Sequence, residues 1–216
     1  MLVRIEERCA EAEAKNEAMG AGEYLRCSYS SGKPSPDFTE LKEAQYFCIF
    51  ARQYNEVLSP KLVWVRRNQP GSGRADFTVY DENKCYLRDI EVTALFSTPA
   101  VKDPSGYQDF SPYPIQEIAP DAMLLDIDNP RPGYKPYARL PHIIKKHLRS
   151  DYPPYWLVIY DNEHGVEHPN LADLGNRVRS ILDRPGKRGK IPRGLKEVWV
   201  FDMPNAAGAT LLKAWP

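Results

Sequence analysis

The stretch RADFTVYDENKCYLRDIEVTAL (residues 74–95) decides the fold. Within RDIEVTAL (88–95), Ile90, Val92 and Ala94 alternate with Asp89, Glu91 and Thr93. Period-two alternation with β-branched residues reads as a half-buried strand. RADFTVY (74–80) alternates in the same way, and DENK (81–84) between the two runs reads as a hairpin loop. Pairing Tyr80 with Cys85 places Asp76 opposite Asp89, and opposite residues of an antiparallel pair share a face. One face then carries Asp76, Thr78, Asp89, Glu91 and Thr93; the other carries Phe77, Val79, Ile90, Val92 and Ala94 and faces the core.

Three carboxylates on one face repel. Two unit charges about 5 Å apart cost roughly 3 kcal/mol at an effective dielectric near 20. An arginine, a shared proton or a divalent cation offsets that cost, and a hard cation such as Mg²⁺ needs only one or two carboxylates. The residues alone leave two readings open: a metal site, or an exposed hairpin whose polar face is solvated.

Outward from the hairpin, DFTELKEAQYFCIFARQYN (37–55) reads as a buried helix capped by Asp37, with Glu40 at the capping-box position. KLVWVRR (61–67) is a strand before the hairpin. Residues 3–19 form a polar helix, SSGKPSP (30–36) a linker, and HIIKKHLRS (142–150) a short helix. YWLVIYD (155–161) is a continuous apolar strand covered on both faces. NLADLGNRVRSIL (170–182) is an amphipathic helix, KEVWVFDM (196–203) a strand and ATLLKAWP (209–216) an edge strand. This order predicts an α/β fold, a mixed central sheet flanked by helices. The domain plan is an N-terminal helix and linker over 1–36, then one α/β domain over 37–216. A Pro/Tyr-rich insertion at about 97–141 interrupts it, unusually long for a bare loop in a compact domain and therefore either functional or partly disordered.

The chain has 216 residues, 27% of them charged, and a formal net charge of zero. Bulk charge therefore does not draw it to nucleic acid or anionic membranes, and attraction to phosphate must be local. No apolar run is long enough to span a membrane. Cys9, Cys27, Cys48 and Cys85 are scattered, which reads as four reduced thiols in a cytoplasmic protein. A homodimer is compatible with this composition.

RADF (74–77), followed after the hairpin by IEVT (90–93), resembles the PD-(D/E)XK nuclease superfamily, the restriction-endonuclease-like fold. The order helix, three strands, helix, strand over roughly 37–203 is similar to its core. The resemblance implies a Mg²⁺- or Mn²⁺-dependent hydrolase that cuts DNA or RNA, as an endonuclease or exonuclease. It makes Asp76 and Glu91 the metal ligands, with Asp89 a second-rank ligand in an alternative register. Glu43 is the helix glutamate that assists. Two positions depart from the pattern: Ala75 stands where Pro is usual, and Thr93 occupies the lysine position among the catalytic residues. Lys84 sits at the hairpin tip, some 23 Å along the strand from Glu91, and Arg88 has the opposite parity. Lys102 lies in the long loop. Lys145 and Lys146, on the helix after the third strand, are the candidate replacements, with Lys146 favoured. The rival expectation is a catalytically inactive nuclease-fold protein that binds nucleic acid or another protein; a third is an unrelated α/β domain.

Three further stretches carry signals of their own. HGVEH (164–168) matches an inverted zinc motif that works only on a helix, and Gly165 and Pro169 argue against one. RPGKRGKIPR (184–193) has five basic residues in ten, so Lys187, Arg188 and Lys190 either contact phosphates or are solvated. Tyr107, Tyr113, Tyr134, Tyr137 and Phe110 either stack on bases or pack over the sheet.

Overall fold

The computed structural model describes residues 1–20, 36–95, 101–102, 108–109, 115–119, 122–125, 137–161, 171–184, 191–202 and 211–216. The fold is α/β. Its centre is a seven-stranded mixed sheet built from β1 (Leu2–Arg4), β2 (Trp64–Arg67), β3 (Phe77–Tyr80), β4 (Tyr86–Leu95), β9 (Tyr155–Asp161), β10 (Leu195–Phe201) and β11 (Leu211–Trp215), in the spatial order β1-β2-β3-β4-β9-β10-β11. The β4/β9 and β9/β10 pairs are parallel and the others antiparallel. The helices are α1 (Ile5–Ala18), α2 (Pro36–Val57), α3 (Leu140–His147) and α4 (Leu171–Leu182).

The parallel pairs require crossovers, supplied by α3 between β4 and β9 and by α4 between β9 and β10. Both crossovers add strands in the same direction across the sheet, so connections of one hand put both helices on one face. That face buries Leu140, Ile143 and Ile144 of α3 and Leu174, Val178 and Ile181 of α4 against Leu95, Leu157, Ile159 and Val200. The opposite face packs Phe47, Phe50 and Tyr54 of α2 on Phe77, Ile90, Val158 and Phe201. Phe47 stacks on Phe77 with ring centroids 4.5 Å apart. With both faces covered, β9 is buried along its whole length, as its unbroken apolar run implies.

Several expectations change here. Residues 2–4 form an edge strand on β2, with Val3 opposite Val65, so the N-terminal segment is woven into the main sheet. Cys9 and Cys48 form a disulfide between α1 and α2, with Cα atoms 5.5 Å apart. Thirty-nine residues separate them in sequence, so spacing gave no hint. The thiol argument for a cytoplasmic location loses two of its four cysteines. Helix α2 begins at Pro36, which places Asp37 inside the first turn rather than at the cap. There its carboxylate meets the positive end of the helix dipole. Glu40 is used in ion pairs, 3.1 Å from Arg8 and 3.5 Å from Arg67.

The insertion after β4 contains two small antiparallel pairs, β5 (Val101–Lys102) with β6 (Gln108–Asp109) and β7 (Ile115–Ala119) with β8 (Ala122–Leu125). The linker 30–35, the HGVEH segment, the loop aromatics Tyr107, Phe110, Tyr113 and Tyr134, and Lys187, Arg188 and Lys190 lie outside the described residues. Among the described residues, no helix is long and apolar enough to cross a membrane.

Candidate metal centre

The hairpin register decides which acids meet. Phe77 pairs with Ile90, Thr78 with Asp89 and Val79 with Arg88, but Tyr80 pairs with Tyr86. Leu87 is therefore an extra residue on β4, a bulge. The loop closes at Asp81 and Cys85, with Lys84 in the left-handed region at φ 61°. Relative to the expected pairing of Tyr80 with Cys85, the strands are shifted by two residues. Parity is kept, so the faces are as expected, but Asp76 now continues the ladder opposite Glu91 rather than Asp89.

The polar face is not solvated, which corrects the exposed-hairpin expectation. Asp89 is fully buried and Glu91 is 5% exposed. Both lie on the sheet face that carries the crossover helices, a covering that alternation within one strand does not reveal. Asp89 is satisfied: Thr78 Oγ1 donates to its Oδ1 at 2.8 Å and Arg74 Nε to its Oδ2 at 3.1 Å. Thr78 is in turn linked to Asn68. These contacts satisfy Asp89 and leave Asp76 and Glu91 as the other two acids of this face.

Asp76 sits just before β3, where the ladder with β4 ends, and its Oδ2 accepts the backbone N–H of Val92 at 2.8 Å. One acid is thereby tied to the strand that carries the other. The Asp76 carboxyl is pushed up to about 8, first by burial, then by the negative charges of Glu91 and Glu43; the Val92 hydrogen bond and Arg67 oppose the rise. Glu43, from α2, is paired with Arg67 of β2 at 2.6 Å. The hairpin, α2 and β2 thus bring Glu43, Asp76 and Glu91 within electrostatic reach of one another.

Glu91 has two different oxygens. Its Oε1 lies 2.8 Å from His147 Nδ1 at the end of α3. Its Oε2 is buried without a hydrogen-bond partner among the described residues. A buried carboxylate oxygen left bare costs roughly 1–3 kcal/mol or more, so an unpaired Oε2 beside a second acid suits a hard cation. Among the described residues no group of three or more His, Cys, Asp or Glu is placed to hold a metal ion. Mg²⁺ does not require one, since it binds through one or two carboxylates and keeps several waters. The donor set fits such an ion.

Thr93 lies on the Glu91 face, two residues along β4, and is half-buried. Lys145 and Lys146 are both exposed. The buried face of α3 is Leu140, Ile143 and Ile144, and the next position at helical spacing is His147. The residue from α3 that reaches the acids is therefore His147, not either lysine. Sequence inspection passed over it although it completes the i, i+3, i+4, i+7 pattern. Arg67 was also missed, because it lies in a strand next to an equally basic Arg66.

No family model, no curated protein and no solved structure matches the chain.

Proposed function

We propose that the chain is a Mg²⁺- or Mn²⁺-dependent nuclease, hydrolysing phosphodiester bonds of DNA or RNA on a restriction-endonuclease-like core. The observation that carries this reading is the placement of Asp76 beside Glu91 across β3 and β4, with Glu91 Oε2 buried and unpaired. The order α2–β2–β3–β4–α3–β9 is the helix, three strands, helix, strand that the resemblance implies, and it supports the same reading.

Asp76 and Glu91 would hold the ion, and Asp89, engaged by Thr78 and Arg74, would not. The Val92 N–H fixes the orientation of Asp76, and His147 fixes one oxygen of Glu91. Arg67 offsets part of the negative charge through Glu43. A bound Mg²⁺ supplies Lewis-acid polarisation of a phosphoryl oxygen and lowers the pKa of a coordinated water. Substrate contact beyond the metal falls to the basic segment of Lys187, Arg188 and Lys190. Replacing all three with Ala should flatten the salt dependence of nucleic-acid binding by up to about three log–log units.

The test is cleavage of end-labelled single- and double-stranded DNA and RNA with Mg²⁺ or Mn²⁺, by the wild type and by Asp76→Asn and Glu91→Gln. Cleavage by the wild type and background levels with both variants are expected. Cleavage that survives Asp76→Asn would refute the assignment.

A second reading has its own observation. Thr93 carries no charge, and both α3 lysines are exposed. A catalytically inactive member of the same fold, retained to bind nucleic acid or protein, would show metal and nucleic-acid binding with no cleavage in the same assay.

A further inference from the structure

We propose that His147 is a positioning residue for Glu91: it holds one carboxylate oxygen so that the other is presented to a divalent cation. The inference rests on the reading of Asp76 and Glu91 as metal ligands and adds to it a residue that neither the resemblance nor the lysine pattern supplies.

The helix face comes first. Leu140, Ile143 and Ile144 are buried against the sheet, and His147 is the polar last member of that stripe, while Lys145 and Lys146 are exposed. The His147 and Glu91 side chains are only 13% and 6% exposed. A carboxylate oxygen facing a ring nitrogen at 2.8 Å is an acceptor, so Nδ1–H is the donor in this contact.

The backbone that carries the ring is held as well. The Tyr155 hydroxyl donates to the His147 carbonyl at 3.0 Å and accepts the Arg149 N–H at 3.0 Å. This occupies a carbonyl at a helix C-terminus, where no intrahelical donor remains. Tyr155 is fully buried on β9 and pairs with Asp89 of β4, on the Glu91 face. The His147 backbone and the Glu91 side chain are therefore tied to adjacent parallel strands, β9 and β4. The contact of Oε1 with His147 orients the Glu91 carboxylate and leaves Oε2 as its unpaired oxygen. Outer-shell partners of this kind change metal affinity by about 10–100-fold when removed.

A merely structural histidine–glutamate pair predicts something different, and the conservative variant separates the two. Asn at position 147 places an amide N–H near the position of Nδ1, so it preserves the donor without the ring. The experiment is Mn²⁺ calorimetry on the full chain for the wild type, Asp76→Asn, His147→Ala, His147→Asn, Lys145→Ala and Lys146→Ala. It is paired with long-range ¹H–¹⁵N spectra of the imidazoles in the wild type and Glu91→Gln. His147→Ala should weaken Mn²⁺ binding about 10–100-fold, His147→Asn should restore most of it, and both lysine variants should bind as the wild type does. The His147 ring should show Nδ1 protonated and should change in Glu91→Gln. If Asp76→Asn abolishes binding while His147→Ala leaves it intact, the metal reading stands and this inference falls. If the wild type binds no Mn²⁺, both fall. A His147 ring that does not respond to Glu91→Gln overturns the positioning contact even if His147→Ala fails to fold.

Discussion

The carboxylate of Asp76 accepts the backbone N–H of Val92 at 2.8 Å, so the acid that ends one strand is fastened to the strand bearing the other acid. That bond favours ionised Asp76, yet burial and the charges of Glu91 and Glu43 outweigh it and push the carboxyl up to about 8. An unfolded aspartate titrates near 4. Between about pH 4 and pH 8 the folded chain keeps a proton that the unfolded chain has released, so stability falls as pH rises through that window. In EDTA, Asp76→Asn should therefore melt higher than the wild type at pH 8 and close to it at pH 4. Mn²⁺ at pH 8 should raise the melting temperature of the wild type and leave the variant unmoved, because a ligand stabilises only the state it binds. A variant that melts lower than the wild type at pH 8 would contradict the account.

Asp89 should behave in the opposite way. It is fully buried and held by Thr78 and Arg74, and removing charge from a buried pair leaves the partner uncompensated. Asp89→Asn should lose about 2–3 kcal/mol of stability, the loss expected when a hydrogen bond to a charged group is broken. Its Mn²⁺ affinity should remain near that of the wild type. Denaturant unfolding and calorimetry on Asp76→Asn and Asp89→Asn then give crossed outcomes. Loss of Mn²⁺ binding in a folded Asp89→Asn would restore Asp89 as a ligand.

How much of this was legible follows from the range of each signal. YWLVIYD spans β9 residue for residue, because an unbroken apolar run reports burial on both faces. The faces of the hairpin were legible too, since parity survives a two-residue shift. The register itself was not: it depends on the bulge at Leu87 and on Lys84 adopting φ 61°, where sequence would have suggested Gly or Asn. β1 is too short to show a period and runs directly into α1. Cys9 and Cys48 meet only because α1 packs on α2, a tertiary fact. His147 was legible from helical spacing, but two adjacent lysines drew the charge argument away from the buried stripe.

Gly194 tests how tightly the approach to β9 is built. A Cβ there would lie 2.6 Å from the Tyr152 carbonyl oxygen and 3.2 Å from that of Pro153, both backbone atoms that cannot swing aside. Gly194 O also accepts the Tyr155 N–H at 2.8 Å, so any shift is passed to the residue that anchors α3. Gly194→Ala should cost about 1–3 kcal/mol, read as a lower melting temperature of roughly 2–4 °C per kcal/mol. Gly175→Ala is the control: its Cβ would meet Leu212 Cδ2 at 2.6 Å, the end of a side chain that can rotate. It should cost less; equal losses would argue against the backbone clash.

Arg67 connects the acids to the α1/α2 layer. Its Nη2 donates to Glu43 at 2.6 Å, its Nε lies 3.5 Å from Glu40, and its guanidinium rests 5.4 Å from the centre of the Phe77 ring. Glu40 is also engaged by Arg8 of α1. Arg67 is one of the two influences holding Asp76 down, so its loss acts twice: Glu43 is left without its partner, and Asp76 rises further. Arg67→Met keeps the apolar stem over Phe77 and removes only the charge and its hydrogen bonds. It should cost about 2–3 kcal/mol at pH 7, with the loss growing toward pH 8 as more Asp76 is forced to ionise. Adding Glu43→Gln removes the uncompensated charge and one cause of the Asp76 rise. The double variant should therefore be more stable than Arg67→Met alone, by an amount that denaturant unfolding at pH 6, 7 and 8 resolves as a coupling between neighbours. Strictly additive effects at all three pH values would show that Glu43 and Arg67 do not act on Asp76 as a unit.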